Sequence, residues 1–227
     1  LFTQASNYTV SVFTTVCYAL CVAAIPLMTQ TLLRSREAGF RAANKLISNT
    51  LVLALIAAVG ATALTGAGLT QQLLGVEDGT GLFRFSFTVL LWALPVIALT
   101  YLLLALFQSM GHFTLQGSLS LLYGLVLCAV LLIFGERLSL RGFAVLTSAG
   151  WLLQLLMTVP AIKKERYRFR FTPDLRWPEY RTFLRTGAAT VFNSSLLLLC
   201  YLVNTRFAAA GPEGTLSAFF YANKLYE

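Results

Sequence analysis

Residues 85–107 read FSFTVLLWALPVIALTYLLLALF, twenty-three residues without one charged side chain. About 20 apolar residues of helix cross the hydrocarbon core of a bilayer. A soluble domain carrying such a run needs polar residues elsewhere to cover it, and this chain lacks them. It is 57% hydrophobic and 11% charged, with mean hydropathy +0.73, whereas soluble domains carry roughly 25% charged residues.

Outward from that run the pattern repeats. Apolar blocks lie at 8–33, 46–64, 115–134, 143–162 and 183–209, and another begins near Thr215. The expected fold is all-α: a polytopic transmembrane helical bundle of about seven spans, the last cut off by the chain end. Pro26 and Pro95 fall inside spans, where neighbouring helices re-satisfy the freed backbone groups. The first residue is Leu1 and the last run stops at Glu227, so the chain reads as a piece of a longer protein. Its first segment has neither the basic start nor the cleavage site of a signal peptide. The organisation expected is five helices of an amino-terminal bundle over 1–162, a basic amphipathic cytoplasmic linker over 163–182, and a sixth span with the start of a seventh over 183–227.

Charge gives the orientation. Arg34, Arg36, Arg41 and Lys45 follow the first span; Lys163, Lys164, Arg166, Arg168, Arg170, Arg176, Arg181 and Arg185 separate the fifth from the sixth. Together they are twelve of the seventeen Lys and Arg. If every block crosses once, both clusters lie on one side, which the positive-inside rule makes cytoplasmic. Glu77, Asp78 and Glu213 fall on the other side; Glu136, Arg137 and Arg141 make one mildly basic outer loop. The net charge of +8 is thereby explained by topology, and nucleic acid is rejected as a partner. The RYRFRF stretch at 166–171 alternates cations with rings, a pattern suited to anionic lipid heads at the interface.

Ionisable groups inside spans are costly and therefore functional candidates. Lys224 and Glu227, three residues apart, share a helical face beside Asn223 and are read as functional; the alternatives are a simple internal ion pair, or an interfacial turn that the end of the chain makes look like a span. Asn193 and Asn204 either line a cavity or bond between helices. Arg206, near the outer end of its span, reads as snorkelling to the interface. Asn193-Ser194-Ser195 and Asn7-Tyr8-Thr9 match the glycosylation pattern, but Asn193 lies where that chemistry does not reach. Cys17, Cys21, Cys128 and Cys200 sit in apolar runs without His or carboxylate partners, and read as packing residues rather than metal ligands. His112, in the short turn at 111–113, reads as interfacial rather than catalytic. With no phosphate loop, nucleophile elbow, zinc pattern or spaced carboxylate pair, the chain is not expected to be an enzyme or to carry a cofactor.

The final stretch, GPEGTLSAFFYANKLYE at 211–227, resembles the start of the eighth helix of the MurJ/MviN lipid II flippases, where a Gly and a Ser precede a Tyr-Ala-Asp-Arg-Leu-x-Glu run. Ile25-Pro26-Leu27 with Phe40-Arg41-Ala42-Ala43-Asn44 resembles the family's second-to-third helix passage. The stretch from Leu106 to Phe113 resembles its fourth-to-fifth turn, and Pro160 with Pro173-Asp174-Leu175 its sixth-to-seventh passage. The resemblance implies helices two to eight of about fourteen, in two bundles around a hydrated, cationic cavity that works by alternating access. It implies a polyprenyl-diphosphate-linked cell-wall precursor as substrate, membrane lipids as surroundings, room for a coupling ion, and the bacterial inner membrane as location. By motif position Lys224 stands for the family's Arg and Glu227 for its Glu; Asn223 and Asn204 stand where the family has, or often has, Asp. These four are the residues the resemblance assigns to substrate binding. Upstream, 12–18 carries no charge where the family has an Arg pair, so an exporter of another lipid-linked glycan is the alternative. An antiporter of cationic drugs would need more acidic residues in the spans than Glu227. A non-transporting membrane scaffold would use the basic linker and need no charged cavity.

Overall fold

A computed structural model describes residues 5–74, 81–135, 138–209, 211–212, 214–215, 218–219 and 221–222. Helix α1 (Val12–Arg34) follows a π-turn at Asn7–Ser11, and is succeeded by α2 (Arg36–Gly66), α3 (Leu69–Leu74), α4 (Leu82–Leu91) and α5 (Leu94–Ser109). Then come α6 (Thr114–Phe134), α7 (Leu140–Met157), α8 (Val159–Lys164) and α9 (Pro178–Ala209). Among the described residues five stretches are long and apolar enough to cross a membrane: Thr9–Arg34, Arg36–Gly66, Leu82–Ser109, Thr114–Phe134 and Leu140–Lys164. They coincide with the first five apolar blocks, and make this an all-helical multi-pass membrane protein. Helix α9 has 32 residues, about 48 Å at 1.5 Å per residue.

Two helix boundaries depart from the sequence reading. The basic stretch after the first span is not a loop: only Ser35 is non-helical, and α2 begins at Arg36, well before the apolar block. Ser35 is extended, and its Oγ accepts the Ala38 N–H at 3.0 Å. With Glu37 in the first turn, this is a favourable helix start. The third span, in turn, is broken into α4 and α5 at Trp92–Ala93. Pro95 has no N–H for the Leu91 carbonyl and its ring crowds that group, so the chain turns and restarts with Pro95 in the first turn of α5. Pro160 does the same between α7 and α8, whereas Pro26 stays within α1.

Helix α1 packs against α2, α5 and α9; α2 also packs on α5, and α7 joins α4, α5 and α6. Small residues permit the close approaches that drive helix association in lipid. A Cβ at Gly187 of α9 would lie 2.8 Å from Leu20 Cδ2 of α1; one at Gly150 of α7 would collide with the Tyr123 ring of α6. The largest core cluster gathers Cys21, Ala24 and Met28 of α1, Leu46 and Ile47 of α2, Leu102, Leu106 and Phe107 of α5, and Tyr180 and Phe183 of α9. Cys17 and Cys21 are buried and free, Cys128 and Cys200 exposed and free.

The linker contributes Tyr167 to that same cluster. Helix α8 closes with a Schellman motif: the Tyr167 N–H donates to Ile162 O at 3.1 Å and the Arg166 N–H to Lys163 O at 3.1 Å, with Tyr167 and Ile162 both packed in the cluster. This motif puts its C′ residue in the left-handed region, where glycine is usual. Here that residue is Arg166, at φ 51°, a conformation costing an L-residue about 1–2 kcal/mol.

Candidate functional site

One face of α2 near its basic end is polar where a membrane helix would be apolar. Asn44, Ser48 and Asn49 are buried, and they take the linker as a partner. The Tyr167 hydroxyl donates to Asn44 Oδ1 at 2.6 Å and the Arg170 N–H to the same oxygen at 3.3 Å. The Thr172 N–H donates to Ser48 Oγ at 3.0 Å. The Asp174 N–H donates to Asn49 Oδ1 at 2.6 Å, and Asn49 Nδ2 returns a bond to Asp174 O at 2.8 Å. The spacing explains the match. From Asn44 to Ser48 the helix climbs one turn, about 6 Å, while the linker moves on two residues from Arg170 to Thr172; Asp174 then meets Asn49, the next residue of α2. Lys45 Nζ closes the far end on Asp174 Oδ2 at 2.8 Å and lies 5.6 Å from the Trp177 ring centre. That bond, above all, holds the Asp174 carboxyl below its ordinary range. Burial pushes the Tyr167 phenol up.

Beside this ladder Glu165 joins three turns of the chain. Arg36 donates through one nitrogen to Glu165 Oε2 and to its backbone carbonyl, both at 2.7 Å. His112 Nε2 lies 2.8 Å from Glu165 Oε1. The His112 hydrogen bond foremost, and the Arg36 charge with it, lower the Glu165 pKa against the opposing effect of burial. These contacts place the ends of the first, third and fifth spans at one rim, the basic one. His112, which the sequence places in an interfacial turn, sits at this rim as a partner of Glu165.

The residues singled out by sequence are not brought together. Lys224, Asn223 and Glu227 lie outside the described residues. Asn204 is exposed on α9, as are Asn193 and Arg206, with Arg206 in the last turn. At 100° per residue, Thr186, Thr190, Asn193 and Asn204 fall on one stripe. It lies about a quarter-turn round the helix from the buried edge formed by Tyr180, Phe183 and Gly187. Polar groups facing hydrocarbon are expensive, so this stripe is suited to a hydrated or protein-lined space.

The family model described as lipid II flippase MurJ matches residues 19–227. The chain belongs to the MurJ lipid II flippase family. A probable lipid II flippase MurJ of Bdellovibrio bacteriovorus is 35% identical over 78 residues, which is 34% of this chain and 15% of that relative. The matched stretch thus spans a small part of the curated relative's length. No solved structure matches. The MurJ match takes in the linker ladder, the Glu165 cluster and the α9 stripe, and runs to the end of the chain with its Lys224 motif.

Sequence reasoning missed the ladder. Its signal was present in Asn44 and Lys45, just before the 46–64 block, and in Ser48, Asn49 and Thr50 at the start of it. What hid it was the partner: nothing near α2 in sequence needs those groups, and the segment that does lies more than a hundred residues away.

Proposed function

We propose that this chain is part of a flippase that moves a polyprenyl-diphosphate-linked cell-wall precursor, lipid II-like, across the bacterial inner membrane by alternating access. The observation that carries the reading is the MurJ family match over residues 19–227. The polar stripe of α9 supports it, because a head group bearing a diphosphate and sugars crosses only where protein groups replace its water. Lys224 supplies a point charge for the diphosphate, though not the bidentate fork of an arginine. Glu227, Asn223 and Asn204 line the same path, and residues 1–162 form most of the amino-terminal bundle, with the 163–182 linker on the cytoplasmic side. Chemistry of this kind makes no covalent bond in the cargo.

A second reading, export of another lipid-linked glycan, is favoured by the absence of charge at 12–18 and by Asn at position 223. In cells depending on the full-length protein, Lys224→Ala at normal protein level abolishes precursor translocation; wild-type translocation in that variant would remove the role given to Lys224. Translocation of a different lipid-linked glycan by the purified protein, with none of lipid II, would establish the second reading.

A further inference from the structure

Where the linker leaves α8 the surface holds a cleft of about 500 Å³ lined by Ile162, Lys163, Arg166, Tyr167 and Arg168. Its polar lining is cationic and its floor apolar. Tyr167, fixed by its bond to Asn44, and Ile162 form that floor, while Lys163, Arg166 and Arg168 are exposed around it. The adjacent carboxylate, Glu165, is already held by Arg36 and His112, so it is poorly placed to neutralise the three cations. Nearby Phe169 and Phe171 are exposed, as rings are at the head-group level of a bilayer.

The second observation is backbone strain. Arg166 occupies the left-handed position of a Schellman cap, which glycine would fill without strain. Strained positions of this kind cluster at ligand sites, where the side chain is kept for what it binds. A cation retained at a glycine position, on the rim of a cationic cleft, has that form.

We infer that this cleft binds the phosphate of an anionic lipid head group, with Lys163, Arg166 and Arg168 as the cations and the Tyr167–Ile162 floor beneath the glycerol. A free anion has no use for an apolar floor and flanking rings, and this is why a lipid is assigned. The site does not depend on the cargo: lipid retention and precursor translocation are separate measurements and fail separately. Each cation near an anionic leaflet is worth roughly fivefold in partition, so losing one gives about that effect.

The test is native mass spectrometry of the full-length protein, released from detergent after titration with phosphatidylglycerol or phosphatidylcholine. Wild type retains phosphatidylglycerol over phosphatidylcholine. Arg166→Gly lowers that retention about fivefold while its melting temperature holds or rises, because strain is relieved; this pairing separates lost binding from lost folding. Lys163→Ala/Arg168→Ala lowers retention further, and Arg181→Ala/Arg185→Ala, in the same basic segment, leaves it unchanged. Equal retention of phosphatidylcholine, unchanged retention in Arg166→Gly, or an equal loss in the Arg181/Arg185 pair, which would indicate a diffuse field, each overturns the site. Full displacement of phosphatidylglycerol by equimolar inorganic pyrophosphate overturns the lipid assignment in favour of a soluble anion.

Discussion

The third and fourth spans are alike in composition and opposite in place. Leu82–Ser109 and Thr114–Phe134 have mean hydropathies of 2.5 and 2.4, yet 61% of the first one's most apolar window is buried and 6% of the second's. In water such twins would both be driven inward. In a bilayer the lipid tails are as apolar as leucine, so hydropathy moves a helix into the membrane but not into the bundle. What separates the two spans is shape. The third is broken by Pro95, and its α5 half packs against both α1 and α2; the fourth buries Leu119, packs Leu115 on the main cluster, bonds Gln116 to Gln108 and stacks Tyr123 on Trp151 beside Gly150.

The sharpest way to break this comparison is to truncate one ring on each span. Phe107 is fully buried in the main cluster, so Phe107→Ala destabilises the protein by about 3–5 kcal/mol, read as a shift in the denaturant midpoint of the full-length protein. Phe134 and Leu132 of the fourth span are exposed, and alanine at either is expected to cost less than about 0.5 kcal/mol. Equal effects on the two spans would show that the fourth is covered by parts of the protein beyond this chain.

The next effect concerns the rim to which the third span is fastened. Asn49→Ala leaves the Asp174 N–H without its acceptor, while Asp174 O keeps the Trp177 N–H at 3.2 Å; at about 1–3 kcal/mol per unsatisfied group the change costs roughly 1–3 kcal/mol in the same measurement. If Asn49→Ala is neutral, the Asn49–Asp174 pair is not what holds the linker to α2.

Smaller again is the effect of Glu165→Gln, which loosens the turn joining the third span to the fourth by weakening its bonds to His112 and Arg36. The Glu165 carboxyl is held below the ordinary carboxylate range in the folded protein. Its contribution is therefore present above the unfolded value, about 4.3, and is lost as pH falls through the lowered folded value. The gap in melting temperature between wild type and Glu165→Gln persists at neutral pH and narrows only in acid. A gap that narrows in alkali instead would refute this account. Removing the His112 ring as well, in His112→Ala, should leave little further for Glu165→Gln to remove from that turn.

Much of the fold was legible because its signals are local. Residues 85–107 declare a span by length and lack of charge, and five of the helices expected from such blocks are present. The breaks at Pro95 and Pro160 follow from one missing N–H each, and at Pro95 the chain turns where the apolar run alone points to a continuous span. Of the four cysteines, Cys17 and Cys21 are buried and Cys128 and Cys200 exposed; His112 lies in its interfacial turn with a carboxylate partner the sequence did not indicate. The candidate site was less legible. Asn204 was found by its polarity inside an apolar run, but the residues that dock the linker were passed over, since Asn44, Ser48 and Asn49 look like an ordinary polar helix start until Thr172 and Asp174 lie against them.

The sequence by itself determined that the chain enters a membrane, where it enters, and that its cations concentrate at one rim, because transfer of each segment from water to lipid depends on that segment's own side chains. Only the tertiary structure decided which spans are inside, which carboxylate His112 and Arg36 share, and that a basic linker is fastened to α2. Those outcomes depend on small residues meeting across helices and on linker amides meeting polar side chains that lie more than a hundred residues away in the sequence. Neither is a property of any one segment.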